Sequence, residues 1–178
     1  MAGASTNEGA DRSGQNGVCI APDCSASVSS ASTLAASDCT IAWMIYRFAA
    51  DVPLRWVDVD AEGVVNNAVY LSLMEQARFL YFDHLGLLPD RKVPFVLAET
   101  TVKFLRPGRH GMKIEVAART RSLGTTSFHM DYEVRAEQQV LATGQAALVF
   151  VDGALRPRPI PDDVRSAIES FEDLPASR

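Results

Sequence analysis

Residues 55–70 form an acidic turn that leads into a long apolar segment. Asp58 and Asp60 precede Gly63, and the apolar segment starts at Asn67. Because the first turn of a helix leaves N–H groups without intrahelical partners, such a junction can polarise a carbonyl oxygen. A neighbouring carboxylate can attack that carbonyl or deprotonate water. The combination is suited to acyl transfer or hydrolysis.

Three carboxylates are candidates for this chemistry. Asp60 is the main candidate for nucleophile or general base, because it stands directly before the predicted helix start. Asp58 and Glu75 are secondary candidates, each with a simpler structural explanation. Asp58 can hydrogen-bond the turn backbone, and Glu75 can pair with Arg78 one helical turn away.

The five residues from Gly63 to Asn67 are the candidates for substrate binding. Gly63 suits a positive φ or a close approach of substrate, and the backbone amides of Val64, Val65 and Asn66 are candidate oxyanion donors. The side-chain amide of Asn67 can hold the substrate carbonyl or the attacking water. An ordinary tight turn and helix cap would use the same residue types.

Metal and Ser-His-Asp chemistry are not predicted. His84, His110 and His129 have no ligand-like spacing, and no serine stands in a nucleophile-elbow motif. The cysteines all fall before residue 40 and match neither a zinc site nor a disulfide framework. We therefore expect no metal and no cofactor.

The charge pattern favours small-molecule partners. The 178 residues carry a formal net charge of −5, with no basic footprint for nucleic acid or a membrane surface. One basic cluster, formed by Lys103, Arg106 and Arg109, can meet the phosphates of a nucleotide carrier or simply be solvated. Without a signal-peptide pattern or a long apolar span, the sequence predicts a cytoplasmic protein.

Composition and periodicity divide the chain into three segments. Residues 1–43 are rich in Ser, Ala and Gly and predict a disordered tail. Residues 44–161 predict the folded domain, and residues 162–178 a short helix, capped by Asp162, and a tail. Within the domain we expect a strand over 44–57 that is interrupted near Asp51-Val52-Pro53, because proline inside a run points to an edge or a bulge. We also expect a helix over 67–85 that is buried on several sides, and strands at 96–104, 112–118, 128–134 and 140–151.

The turn and helix together resemble a known signature. Asp58-Val59-Asp60-Ala61-Glu62-Gly63-Val64-Val65, followed by Asn67-Ala68-Val69-Tyr70-Leu71 and Glu75-Gln76-Ala77-Arg78, is similar to the 4-hydroxybenzoyl-CoA thioesterase group of the hot-dog superfamily. The resemblance implies an α+β hot-dog fold, in which an antiparallel sheet wraps around one long central helix. It also implies that the second aspartate, Asp60, is catalytic, and that the acyl group lies between two subunits.

Two departures from the group bear on the substrate. Many members have histidine at the position of Val64 or Asn67, and this chain has neither. The Asn66-Asn67 pair instead resembles the acyl-carrier-protein thioesterase branch. The acyl carrier, coenzyme A or carrier protein, is thus left open.

These observations predict hydrolysis of an acyl thioester to a free acid and a thiol. The alternative is a non-catalytic module that binds acyl thioesters or serves as an interaction subunit. We also expect a homodimer or tetramer, because one sheet on one helix leaves an edge and a face to cover. The apolar side chains expected on the outward face are Leu97, Ala117, Ala142, Ala146 and Leu148.

Overall fold

The computed structural model describes residues 18–19, 46–88 and 92–175. Its elements, in chain order, are β1 (Val18–Cys19), β2 (Phe48–Asp51), a 3-10 turn (Trp56–Asp58), α1 (Asn67–His84), β3 (Phe95–Phe104), β4 (Ile114–Leu123), β5 (Ser127–Ala136), β6 (Gln139–Phe150) and α2 (Asp162–Glu172). The predicted disordered tail lies outside the described residues, apart from β1, which pairs with β2.

All strands join one antiparallel sheet in the order β1-β2-β4-β5-β6-β3. The helix α1 packs against one face of this sheet and contacts β2, β4 and β5. A short second helix, α2, packs on β4. An α+β fold with an antiparallel sheet and one long central helix was predicted, and the structure confirms it.

Local sequence fixes both ends of α1. Asn66 is the N-cap, and its side-chain oxygen accepts a hydrogen bond from the amide of Ala68 at 2.9 Å. At the other end Gly86 has φ +69°, the left-handed conformation that follows many helices. The helix therefore begins where the candidate functional turn ends.

Only one face of α1 is buried, so the expectation of a helix buried on several sides is wrong for the single chain. The buried residues recur every three or four positions: Tyr70, Leu73, Met74, Ala77, Arg78, Tyr81 and Phe82. On the opposite face Gln76 is exposed, and Leu71 keeps 41 % of its surface accessible. The prediction failed because apolar residues such as Leu71 also occur on the exposed face of α1.

The outward face of β6 also differs from the prediction. Ala142, Ala146 and Leu148 belong to the core, and Ala117 of β4 is fully buried too, so only Leu97 of the predicted set is exposed, at 46 %. Small side chains face α1 because the helix approaches β6 closely. A Cβ atom on Gly144 would come within 2.6 Å of Met74 Sδ.

Smaller corrections concern the segment ends. The first strand stops at Asp51, where the interruption was expected, because Pro53 cannot donate to a ladder. The strand does not resume after it, and residues 56–58 form a 3-10 turn. The strand expected from residue 112 begins at Ile114. The α2 cap position is Pro161 rather than Asp162, which is the first helical residue.

Candidate active site

A network of backbone hydrogen bonds holds the turn before α1. The amide of Asn66 donates to the carbonyl of Asp58 at 2.9 Å, and the amide of Asp60 donates to the carbonyl of Val64 at 2.8 Å. Gly63 has φ +73°, a conformation that other residues adopt at a cost. These hydrogen bonds define the conformation of the turn, and with it the position of Asp60 before the helix.

The carboxylate of Asp60 is anchored through one oxygen. Its Oδ1 accepts hydrogen bonds from the amides of Glu62, at 3.0 Å, and Val64, at 3.2 Å. Its Oδ2 has no hydrogen-bond partner among the described residues, and the side chain is partly exposed. These contacts are those of an aspartate turn, and they also leave one carboxyl oxygen available to a ligand.

The three amides expected as oxyanion donors are already engaged. That of Val64 binds the carboxylate just described, that of Val65 donates to the carbonyl of Gly108 at 2.8 Å, and that of Asn66 donates within the turn. The next amide, of Asn67, has no acceptor in the described part of the chain. It is the first residue of α1, where an unpaired N–H is expected. We therefore correct the candidate donor from residues 64–66 to Asn67.

Asn67 lines a pocket of about 290 Å³. The pocket is lined by Val64, Val65, Asn67, Tyr70, Phe104, Leu105, Arg106 and Pro107. One wall is fixed by Tyr70, whose hydroxyl accepts a hydrogen bond from the Gly108 amide at 3.1 Å and whose ring meets that of Phe104 edge to face. The other wall, at Phe104 and Leu105, is nearly half exposed in the single chain. Most of the lining is therefore apolar, and Asn67 and Arg106 are its polar members.

Asp58 has a structural role. It is only 3 % exposed, and its carboxylate accepts hydrogen bonds from the backbone amide and the guanidinium of Arg55, both at 2.7 Å. These bonds hold the pKa of the Asp58 carboxyl below its usual range. Both oxygens are therefore occupied in fixing the 3-10 turn, and neither is free for catalysis.

Glu75 lies on the exposed side of α1. It is 3.8 Å from Arg78, whose guanidinium also donates to the Tyr132 hydroxyl at 3.1 Å. Glu75 lines a groove of about 720 Å³ between α1 and residues 51–58, which Asp58 lines as well. Asp60 does not line this groove. The structure thus does not bring Glu75 together with Asp60.

The other polar residues singled out from the sequence are dispersed. His84 contacts the rings of Phe48 and Phe171, and His110 meets the ring of Trp56. His129 lies 3.3 Å from Ser122 Oγ. Across residues 46–88 and 92–175, no three His, Cys, Asp or Glu side chains are arranged to hold a metal ion.

The predicted basic cluster is divided by the fold. Lys103 lines a separate pocket on the opposite face of the sheet, together with Tyr46 and Gln145. Arg106 and Arg109 stay on the side of the Asn67 pocket, where Arg109 pairs through its backbone with Val64. Alternation along β3 explains the separation, because it turns Lys103 away from Phe104.

Comparison with known proteins assigns this chain to a family. Residues 54–168 match the thioesterase-like superfamily. The chain belongs to that superfamily. The match covers the turn, α1 and the four long strands, and so includes every candidate site residue.

Individual relatives agree with this assignment. The acyl-CoA thioester hydrolase YbgC of Escherichia coli is 30% identical over 64% of this chain and 89% of its own length. The chloroplastic acyl-acyl carrier protein thioesterase ATL3 of Arabidopsis thaliana is 28% identical over 68% of this chain and 67% of its own. A thioesterase of Thermus thermophilus, solved with coenzyme A and Zn, superposes with TM-score 0.66 at 38% identity, covering 72% of this chain and 96% of its own.

The family assignment makes this chain a thioester hydrolase with the hot-dog fold. Neither described helix is long and apolar enough to cross a membrane. Sequence reasoning found the candidate turn but missed Tyr70, whose hydroxyl fixes the pocket wall. No spacing signal distinguished it from the other apolar residues of α1.

Proposed function

We propose that this superfamily member hydrolyses acyl-CoA thioesters, with Asp60 as the ionised carboxylate and the amide of Asn67 as the oxyanion donor. One observation carries the proposal. The turn fixes Asp60 through Oδ1 and leaves Oδ2 without a partner among the described residues, while α1 begins with an unpaired amide at Asn67. The turn thus carries a free carboxylate oxygen, and the first helical residue after it carries a free amide.

The reaction needs only these groups and water. Asp60 takes a proton from water as the water oxygen bonds to the acyl carbon, and the carbonyl electrons move to oxygen. The resulting oxyanion accepts a hydrogen bond from the Asn67 amide, reinforced by the positive end of α1. The carbon–sulfur bond then breaks, the thiolate takes the proton from Asp60, and the products are a carboxylic acid and a free thiol.

A covalent route uses the same residues. Asp60 attacks the acyl carbon directly, the thiolate leaves, and water hydrolyses the mixed anhydride. Both routes require an ionised carboxylate at Asp60 and a donor for the oxyanion. The assignment of these two residues therefore does not depend on which route operates.

The acyl group fits the apolar pocket next to Asn67. Its walls include Val65, Tyr70 and the exposed parts of Phe104 and Leu105. Gly63 and the side chains of Val64 and Asn66 border the same turn and belong to the binding surface in this proposal. Apolar walls of this kind favour an apolar acyl chain.

A second copy of the chain is proposed to complete the pocket. β3 is the outer strand on its side of the sheet, and it exposes Val96, Leu97 and Phe104. An exposed apolar edge strand is stabilised by pairing with another strand. Pairing of β3 between two copies would cover Phe104 at the open wall of the pocket, and a homodimer is the smallest assembly that achieves this. Cytoplasmic location stays a prediction from the sequence.

The direct test is a substrate panel with free thiol release as the readout. Purified protein is assayed with benzoyl, butyryl, octanoyl and palmitoyl thioesters of coenzyme A, and with the same acyl groups on carrier protein. Turnover of a coenzyme A thioester, lost in Asp60→Asn, supports the proposal. Tight binding with no thiol release on any substrate would instead indicate a non-catalytic binding module.

A further inference from the structure

An exposed aromatic side chain stands next to the candidate catalytic turn. Trp56 and Val57 are each 74 % exposed, the highest values among the large apolar side chains of the described residues. The 3-10 turn that carries them is held by Asp58, which binds the amide and the guanidinium of Arg55. Trp56 is therefore presented to solvent on a fixed turn.

The ring of Trp56 has an open face. It meets His110 with ring centroids 5.0 Å apart and an angle of 77° between the planes. In a perpendicular pair the edge of one ring packs on the face of the other. His110 therefore covers at most one face of the Trp56 indole and leaves the other face open. An uncovered indole face is suited to stacking on a planar base.

Two arginines lie on the loop that carries His110. The guanidinium of Arg109 makes no ion pair or hydrogen bond with any described residue, and its backbone is bridged to Val64 in the candidate turn. Arg106 lines the Asn67 pocket, and one of its nitrogens donates to the carbonyl of Val140 at 3.1 Å. Its other donors remain for a ligand.

Two exposed guanidinium groups on this surface can bind an anion. Arg106 and Arg109 are exposed, and the carboxylates of the neighbouring turn are Glu62, which is exposed, and Asp60, which is partly exposed. Arg55 adds no free charge, because Asp58 neutralises it at 2.7 Å. Exposed guanidinium groups bind phosphate through paired N–H donors. A planar base and phosphate groups occur together in one ligand when the ligand is a nucleotide.

We infer that Trp56, Arg106 and Arg109 bind the nucleotide end of coenzyme A, with adenine on Trp56 and the phosphates on the two arginines. The inference rests on the proposed function, since the thioester must lie at Asn67 while its carrier extends across Arg106 toward Trp56. It selects coenzyme A over carrier protein as the acyl carrier of this chain. Carrier protein presents a pantetheine arm without adenine.

The test separates nucleotide recognition from catalysis. The best acyl group of the panel is supplied on coenzyme A and on pantetheine, which lacks the nucleotide, and kcat/KM is measured for both. Trp56→Ala should lower the ratio of the two values roughly 10-fold, the scale of one base–aromatic stack. Val57→Ala is the matched control, because it truncates an equally exposed side chain in the same turn, and it should change the ratio less than about twofold.

A binding measurement makes the result independent of turnover. Calorimetric titration with free coenzyme A should give a Kd raised roughly 10-fold in Trp56→Ala, and Arg109→Gln should flatten the dependence of that Kd on salt. Pantetheine should show neither effect. Absence of turnover with these binding effects intact would refute the proposed function alone.

Three results would overturn the inference itself. The first is an equal loss on coenzyme A and pantetheine thioesters in Trp56→Ala. The second is an equal effect of Val57→Ala. The third is a loss in Trp56→Ala that appears only with acyl carrier protein, which would make this surface a protein-docking site.

Discussion

Glu172, on α2, lies 2.8 Å from the hydroxyl of Tyr81, on α1, and accepts its hydrogen bond. The same oxygen accepts the amide of Thr120 in β4 at 2.9 Å. One carboxylate therefore ties the C-terminal helix to both the central helix and the sheet. Burial raises the pKa of the Glu172 carboxyl above its usual range, and the two hydrogen bonds oppose this shift without cancelling it.

The raised pKa predicts a pH-dependent stability. A carboxyl that binds its proton more tightly when folded contributes stability at low pH, and this contribution is lost as the pH rises through the raised pKa. Glu172→Gln keeps an acceptor and removes the charge. The difference in Tm, variant minus wild type, should therefore increase from about pH 4 to about pH 7. A Tm difference that is constant over this range would contradict the prediction.

Packing of α1 on the sheet gives a second prediction. Ala77 is fully buried against the core, whereas Gln76 is on the exposed side. Ala77→Leu should lower the free energy of unfolding by roughly 1–3 kcal/mol through overpacking. Gln76→Leu should be close to neutral. Denaturant unfolding of both variants measures this free energy. Equal changes in the two variants would mean that α1 is rotated about its axis relative to the structure described above.

Sequence periodicity was sufficient for the element order, because alternating strands and a capped helix have strong local signals. The helix expected over 67–85 is observed over Asn67–His84, between the N-cap Asn66 and Gly86. The faces of β6 were harder to predict, since Ala142 and Ala146 carry little hydrophobic signal and face inward only because α1 approaches closely. Such proximity is a property of the tertiary structure.

The candidate site could also be predicted only in part. The position of Asp60 before the helix could be inferred from the turn sequence, and Gly63 does adopt a positive φ. The candidate oxyanion donor could not, because choosing between the amides of residues 64–66 and the amide of Asn67 depends on which amides the folded chain has already engaged. Only the hydrogen-bond pattern supplies that information.

The β3 edge predicts a self-associated protein. Light scattering at micromolar concentration should give at least twice the mass of the single chain. Leu97→Lys, which places a charge on the exposed edge, should lower that mass and reduce thiol release. Leu155→Lys is the control, because Leu155 is 71 % exposed in a loop outside β3. An active monomeric wild type would refute this prediction.

The oxyanion role of Asn67 can be tested by removing its N–H. Proline is tolerated at the first position of a helix, and Asn66 has φ −57° and ψ 136°, which suits the residue before proline. Asn67→Pro should therefore fold with nearly normal Tm and lose kcat by a factor of about 10²–10³. Asn67→Ala keeps the backbone donor and should retain far more activity. Equal kcat values for the two variants would exclude the amide as donor.

The most direct measurement is the kcat of Asp60→Asn beside that of Asp58→Asn. Asparagine preserves size and hydrogen bonding but cannot act as base or nucleophile, so Asp60→Asn should lose a factor of about 10² or more in kcat with Tm little changed. Asp58→Asn should keep a kcat close to that of the wild type, because it leaves the Asp60 carboxylate in place. It should lower the Tm, because it weakens the contact with Arg55 at 2.7 Å. A near-normal kcat in Asp60→Asn, with kcat abolished in Asp58→Asn, would contradict the assignment of Asp60 as the catalytic carboxylate.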